Sequence, residues 1–115
     1  MVNSYRYNVE FNSDPPTITS VAPKAGTTTT LSILATIPAD LTNIDHYELW
    51  KSEAGAAYAF EADSFGSSSA NLGDITPADV ICCYKMRSTD GIGGYSDFSN
   101  IMCGCHDEFG GLCSI

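Results

Sequence analysis

Five cysteines and a histidine are the residues of this 115-residue chain whose types most readily support chemistry. Four of these six lie close together near the C-terminus: Cys103, Cys105, His106 and Cys113. They offer the ligand types of a Cys₃His zinc site, but Cys-x-Cys is not the Cys-x₂-Cys spacing of most zinc sites. Disulfide bonds are the favoured interpretation, and the sequence predicts no metal or other cofactor.

Several disulfide pairings are open to the five cysteines. Cys105 and Cys113 can close a small loop near the C-terminus. Cys103 ends a predicted strand and can reach either Cys82 or Cys83 on the strand before it. Connectivity is not fixed by sequence. The odd count leaves one cysteine unpaired, either buried as a small hydrophobe or linked between subunits.

A second group of residues combines aromatic and basic side chains. Trp50, Lys85 and Arg87 share the predicted outer face of two neighbouring strands with Glu48. Trp and Arg are enriched at the centres of protein interfaces, so this face is a candidate contact for a protein or a sugar. The alternative is an ordinary surface cation–π pair between a basic side chain and Trp50.

The N-terminal arm, residues 1–14, carries a strand-like pattern. Its apolar side chains alternate with polar ones at Tyr5, Tyr7, Val9 and Phe11. Such a segment can pair with a sheet edge in another subunit, which provides backbone hydrogen bonds and aromatic anchors. The alternatives are an additional strand on its own domain or a disordered end.

Enzymatic motifs are absent from the sequence. There is no Gly-x-Ser-x-Gly elbow, P-loop or His-Glu-x-x-His. The Gly-rich stretch 91–94 lies in a predicted hairpin, without a helix to hold a phosphate. Asp90 and Asp97 are interpreted as turn residues and not as calcium ligands. The sequence predicts a protein that is not an enzyme.

The charge and the hydropathy pattern restrict the classes of partner that the protein is expected to bind. The formal net charge is −9, which argues against binding to nucleic acid or to an anionic membrane. Hydrophobic residues make up 43% and charged residues 17%, as in a globular domain. No apolar run approaches the ~18 residues of a spanning helix. The first seven residues have no apolar core, so no secretory signal peptide is predicted there.

Short alternating runs separated by turn residues predict an all-β sandwich of seven strands. In the third strand Tyr47 and Leu49 are expected to face inward. In the sixth, Cys82, Tyr84 and Met86 are expected inward and Cys83, Lys85 and Arg87 outward. The predicted strands cover residues 17–21, 29–37, 46–51, 58–62, 68–72, 80–88 and 95–103.

Four stretches in this order carry a family resemblance: Pro15-Pro16 with Ile18 and Val21, residues 46–52, Ile75-Thr76-Pro77 with residues 83–88, and residues 90–100. Together they make residues 15–103 resemble a fibronectin type III domain, an immunoglobulin-like sandwich. Residues 1–14 then form an N-terminal arm, and residues 104–115 a C-terminal tail that contains cysteines.

Two positions depart from the pattern of this family. Ile33 stands where the second strand usually carries a core tryptophan. Ile81 or Cys82 replaces the corner tyrosine before the sixth strand. Both changes remove an aromatic ring, and the second also removes a buried hydrogen-bonding hydroxyl.

The resemblance implies a binding or spacer module without catalysis, although a fold does not decide function. Small domains of this kind recur as head decoration, fibre or tail components of bacteriophages. The favoured hypothesis is therefore a virion structural protein that contacts other virion proteins or copies of itself, with a host-surface glycan or protein as a further partner. The alternative is an extracellular bacterial adhesion module or an accessory module of a carbohydrate enzyme.

Overall fold

The chain folds into two packed antiparallel sheets. The computed structural model describes residues 14–38, 44–64 and 69–113, and within these ranges it contains seven strands and no helix. One sheet has the order β1-β2-β5, and the other has the order β4-β3-β6-β7. The predicted all-β, immunoglobulin-like sandwich is confirmed. The strands are β1 (Thr17–Pro23), β2 (Thr30–Thr36), β3 (His46–Glu53), β4 (Ala59–Ser64), β5 (Ser69–Ile75), β6 (Cys82–Thr89) and β7 (Met102–Gly104).

Side-chain alternation along the strands builds the core between the sheets. Tyr47 and Leu49 of β3 are buried, as predicted. The predicted inner face of β6 is also buried, because successive side chains of a strand point to opposite faces. Ile33 of β2 is fully buried at the position where the family usually has tryptophan. Isoleucine therefore fills this core position in place of the larger tryptophan ring.

The seventh predicted strand is much shorter in the structure. Only Met102–Gly104 form β7, so the prediction of a strand from Tyr95 to Cys103 is wrong over most of its length. Serine hydroxyls replace part of the ladder. Ser96 Oγ accepts the Ser88 N–H at 2.9 Å, and Ser99 Oγ accepts the Met86 N–H at 2.9 Å. The serine N–H groups donate back to the same two residues of β6. Residues 95–100 thus stay fixed along β6 without forming a regular strand.

The two sheets are also joined by a side-chain amide at the β1 edge. Asn100 Oδ1 accepts the Ile18 N–H at 3.0 Å, and Asn100 Nδ2 donates to the Ile18 carbonyl at 2.9 Å. The amide therefore satisfies both backbone groups of one β1 residue, as a neighbouring strand would.

The tail folds back onto its own sandwich. His106 and Leu112 form an antiparallel bridge, and the Asp107 N–H donates to the Gly111 carbonyl at 2.9 Å. A Cβ at Gly110 would overlap the Thr27 carbonyl oxygen, so the hairpin lies tightly against the turn between β1 and β2. Below, the tail hairpin means residues 105–113.

Candidate interaction surface

The outer face of the four-stranded sheet gathers aromatic and basic side chains. Trp50 on β3 and Lys85 and Arg87 on β6 lie on this face, as the sequence predicts. The structure adds aromatic rings from β4, from the turn before it and from the segment that follows β6. We call the whole set, together with the carboxylate that binds it, the outer aromatic face: Glu48, Trp50, Tyr58, Phe60, Lys85, Arg87, Tyr95 and Phe98.

Arg87 is at the centre of this face. Its guanidinium carbon lies 3.8 Å from the Tyr95 ring centroid, 4.9 Å from that of Phe98 and 5.1 Å from that of Trp50. Arg87 Nε also donates to Glu48 Oε1 at 2.8 Å. Cation–π contacts of this kind contribute about 0.5–1 kcal/mol at exposed sites. The guanidinium is therefore held in one orientation by rings on several sides and by a carboxylate.

Glu48 accepts hydrogen bonds from two side chains of the same cluster. Its Oε1 also accepts the Trp50 Nε1–H at 3.0 Å. Burial alone would raise the pKa of Glu48, but the hydrogen bonds from Trp50 and Arg87 outweigh it and hold the pKa below its ordinary value. The carboxylate therefore stays ionised and fixes both neighbouring side chains.

Lys85 is surrounded by aromatic rings. Its ammonium lies 4.0 Å from the Phe98 ring centroid and 4.4 Å from that of Tyr58. Among the residues that the structure describes, no Asp or Glu pairs with it. The outer aromatic face thus carries two cations and one carboxylate within a chain of net charge −9.

The rings on this face contact one another edge to face. Trp50 meets Phe60 at a centroid separation of 6.1 Å and Phe98 at 5.7 Å. Phe60 is 49% exposed and Tyr95 is 47% exposed. The network is therefore internally ordered but leaves apolar area open to a partner.

The sequence predicts only part of this face. The cation–π stacking of Arg87 on Trp50 is present, and a contact role for the face stays a prediction. Sequence reasoning missed Tyr58, Phe60, Tyr95 and Phe98. Phe60 could have been found from strand alternation in β4. The three-residue spacing of Tyr95 and Phe98 does not match a regular strand, so alternation could not reveal it.

The opposite face of β3 and β6 holds a second charged cluster. Lys51 Nζ lies 2.9 Å from Asp74 Oδ2 and 3.1 Å from Glu53 Oε1. The Tyr84 hydroxyl donates to Asp74 at 2.6 Å, and both residues are buried. Tyr84 therefore supplies a buried hydrogen-bonding hydroxyl, which the replaced corner position lacks. We call Lys51, Asp74 and Tyr84 the inner cluster.

The ionisation of the inner cluster follows from its hydrogen bonds. Burial opposes the charge on Asp74, but donors from Tyr84 and Lys51 lower its pKa below the ordinary value. Burial also opposes the charge on Lys51, yet its carboxylate partners raise its pKa. Burial raises the pKa of the Tyr84 hydroxyl, which stays protonated as a donor. A fixed, buried ion pair results.

The cysteines divide into two disulfides and one thiol. Cys83 pairs with Cys103 across β6 and β7, and Cys105 pairs with Cys113 in the tail hairpin. Of the two candidates on β6, the structure thus selects Cys83, because its side chain faces outward. Cys82 is free and fully buried. Burial raises the pKa of its thiol, so it has little thiolate character.

His106 anchors the tail hairpin through two hydrogen bonds, which occupy both ring nitrogens that a metal ion would need. Its ring is buried, and its nitrogens lie 2.8 Å from the Thr76 carbonyl oxygen and 2.7 Å from that of Asp107. Two carbonyl acceptors suit an imidazolium, which donates from both nitrogens. The Asp107 carbonyl is the main cause of a raised His106 pKa, against the opposing effect of burial.

A group of three side chains with metal-ligand atoms, on β3 and β4, was not predicted. Ligand atoms of His46, Glu48 and Asp63 lie within 4.8 Å of one another. Glu48 already accepts hydrogen bonds from Trp50 and Arg87, so its oxygen belongs to the outer aromatic face. Sequence reasoning could not find the group, because the cross-strand register of β3 and β4 brings it together.

The predicted arm contacts, Tyr5, Tyr7, Val9 and Phe11, lie outside the described residues and stay predictions.

Asp90 acts as a turn residue, since its Oδ1 accepts the Ile92 and Gly94 N–H groups. Within the ranges that the structure describes, no helix is long and apolar enough to cross a membrane.

Comparison with known proteins supports the fold alone. No family model matches the sequence, and no curated protein matches it significantly. Among solved structures, the chain is similar to the twitchin kinase region from C. elegans, with a TM-score of 0.61 and 14% identity. The match covers 84% of this chain but only 17% of that multidomain chain.

Two further neighbours are close in size to this chain. A structure described as a myokine matches with a TM-score of 0.56 and 12% identity over 82% of this chain and 99% of its own. The fibronectin type III domain of human fibronectin type III domain containing protein 3 matches at 0.54 and 19%, over 83% and 90%. At these identities the likeness defines a fibronectin type III-like sandwich and leaves function open.

Proposed function

We propose that the protein is a non-catalytic structural component of a virus particle, such as a phage head decoration, fibre or tail protein, and that it acts through protein–protein contacts. The observation that carries this proposal is the outer aromatic face. Its rings and cations are held in place by one another and remain partly open. Preordered aromatic and Arg side chains of this kind favour protein interfaces, because little side-chain entropy is lost on binding.

The state of the titratable groups supports a non-catalytic role. Among the described residues, Arg87 is bound by Glu48, Lys51 by Asp74, and His106 by two carbonyl oxygens. The one free thiol, Cys82, is buried. General bases and nucleophiles need access to a substrate, whereas these groups face structural partners.

Two disulfides in a domain of this size favour a location outside a reducing cytoplasm. A virus particle meets such conditions when the host cell lyses. The acidic surface fits the same role, because a net charge of −9 keeps many copies soluble before assembly and away from packaged nucleic acid.

A secreted adhesion or carbohydrate-enzyme accessory module is the second candidate. The same disulfides favour it, and exposed rings such as Phe60 and Tyr95 suit stacking on sugar rings. In this case the protein would be found in the medium without particles. Its binding to a glycan would depend on Trp50.

Particle fractionation separates the two candidates. Cultures that carry the gene are lysed or induced, particles are separated on a density gradient, and the protein is detected by quantitative mass spectrometry. We expect the protein to band with particles at a fixed ratio to the major capsid protein. Recovery only in the particle-free medium would overturn the virion proposal and favour the secreted module.

A further inference from the structure

The tail hairpin presents an acidic and aromatic tip to solvent. Phe109 is 80% exposed and Leu112 is 74% exposed, while Glu108 is exposed beside them. Large apolar side chains with this exposure at a loop tip often mark an interaction site. The tip is therefore available to a partner.

The tip is rigid although it is exposed. Asp107 Oδ1 accepts the Phe109 N–H at 2.8 Å and the Gly111 N–H at 2.9 Å. The Cys105–Cys113 disulfide closes the hairpin, and His106 is buried beneath it. Such a preordered tip loses little conformational entropy when it binds.

The outer aromatic face is complementary to this tip. Lys85 offers an ammonium without a carboxylate partner among the described residues, and Phe60 offers a half-exposed ring. Elsewhere in the described residues Lys51 is taken up by Asp74, and Lys24 lies at the turn after β1. Arg87 is likewise paired with Glu48, so Lys85 is the cation of the outer aromatic face that an acidic group of a partner can approach.

The two surfaces do not meet within one molecule, since no carboxylate among the described residues, Glu108 included, pairs with Lys85. The tail hairpin lies against Thr27, beside the three-stranded sheet, and the Asp79 N–H holds the His106 carbonyl at 2.7 Å. The outer aromatic face lies on the outward side of β3 and β6, whereas the hairpin follows β7 at the edge of the sheet. A contact between them must therefore join two molecules.

We propose that the tail hairpin of one copy docks on the outer aromatic face of a second copy, with Glu108 against Lys85 and Phe109 against Phe60. The contact joins two different patches, so it is heterologous and produces rings or open filaments. The proposal rests on the structural role proposed above and names a second copy as one partner. The complementarity is local: Glu108 at the exposed tip supplies the acidic group, and Lys85 supplies a cation that has no carboxylate partner among the described residues.

Charge reversal tests the contact in the full-length oxidised protein. Sedimentation velocity over a concentration series at low ionic strength should show self-association of the wild type that weakens as salt is added. Glu108→Lys and Lys85→Glu should each weaken the association at least tenfold, and the two together in one chain should restore it. Lys24→Glu and Asp14→Lys, equal charge changes elsewhere, should leave it unchanged.

Neutral variants test the heterologous geometry without charge reversal. Glu108→Gln retains the receiving face, and Lys85→Gln retains the docking tip. An equimolar mixture should therefore form dimers that do not grow further. Unchanged near-ultraviolet circular dichroism shows that each variant is folded. Deletion of residues 1–13 tests whether the arm forms the contact in place of the tail.

Four results would overturn the proposal: a wild type that stays monomeric at all concentrations, single variants that associate like the wild type, a double reversal without rescue, or association abolished by the arm deletion. None of these affects banding of the protein with particles. Failure of this contact is therefore distinguishable from failure of the proposed function.

Discussion

The outer aromatic face and the inner cluster lie on opposite sides of the same two strands, β3 and β6, and have different roles. Glu48 and Arg87 pair on the outside of β3 and β6, while Lys51 on β3 faces inward and pairs with Asp74. Both pairs are well ordered. The outer pair is surrounded by partly exposed rings, whereas the inner pair is closed off by the opposite sheet.

The two ion pairs therefore act on different properties of the protein. A buried carboxylate that loses its partner leaves an uncompensated charge, so the inner cluster controls stability. The outer pair is less buried, with side-chain exposures of 20% for Arg87 and 13% for Glu48, and it packs among rings that are partly open to solvent, so its loss should cost less stability than loss of the inner pair. Its orientation of Trp50 and Arg87 matters instead for recognition. The substitutions below should separate these roles.

The largest effect is expected at Asp74. Asp74→Ala removes the carboxylate that holds Lys51 and Tyr84, and should lower the free energy of unfolding by about 3–5 kcal/mol. The free energy of unfolding is measured by guanidinium denaturation. Tyr84→Phe is the matched control, because it removes one donor and should lower the same free energy by only about 1–2 kcal/mol. A smaller loss for Asp74→Ala than for Tyr84→Phe would contradict this assignment.

The next largest effect concerns the β6–β7 disulfide. Replacement of both Cys83 and Cys103 by Ser opens a link between residues separated by 20 positions. The loss of unfolding free energy should be about 3 kcal/mol, from loop-closure entropy. The matched pair Cys105→Ser and Cys113→Ser, separated by 8, should lose less. Equal denaturation midpoints for the first double variant and the wild type would rule out this contribution.

A smaller stability effect is expected on the outer face. Trp50→Ala removes edge-to-face contacts with Phe60 and Phe98 and a ring beside Arg87. The loss of unfolding free energy should be about 1–2 kcal/mol, because the ring is only half-buried. Partner binding or self-association should fall much more. A stability loss as large as that of Asp74→Ala, with association unchanged, would reverse the assigned roles.

The smallest effect is a pH dependence from His106. Its pKa is raised in the folded protein, so its stabilisation is complete below about 6.5, the value in the unfolded chain. The stabilisation is lost as pH rises through the higher folded value. Unfolding free energies measured over this range should fall with pH in the wild type. His106→Gln should remove that slope, and a variant with the same slope would show that another group causes it.

The sequence predicted what depends on period-two alternation. The inward set of β3 and β6, and the outward set of Trp50, Lys85 and Arg87, follow from it directly. Proximity along a hairpin brought Cys103 near both cysteines of β6, and the outward orientation of Cys83 then decides the pair. These features are local, so a single sequence contains them.

What escaped prediction depends on long-range register or on side chains that replace backbone bonds. The Lys51–Asp74 pair joins strands of different sheets, and no spacing rule connects their positions. Ser96 and Ser99 fix the segment after β6 through their hydroxyls, which brings Tyr95 and Phe98 onto the outer aromatic face without a strand. The folding back of the tail depends on buried His106, which a short sequence motif does not indicate.

Association and stability should be compared in a single variant of the outer aromatic face. The claim is that the outer aromatic face serves contact and not folding. Sedimentation velocity and guanidinium unfolding should both be measured for Lys85→Glu and the wild type. We expect the variant to remain monomeric where the wild type associates, with a nearly unchanged unfolding midpoint. Equal sedimentation of the two proteins at every concentration would contradict the claim.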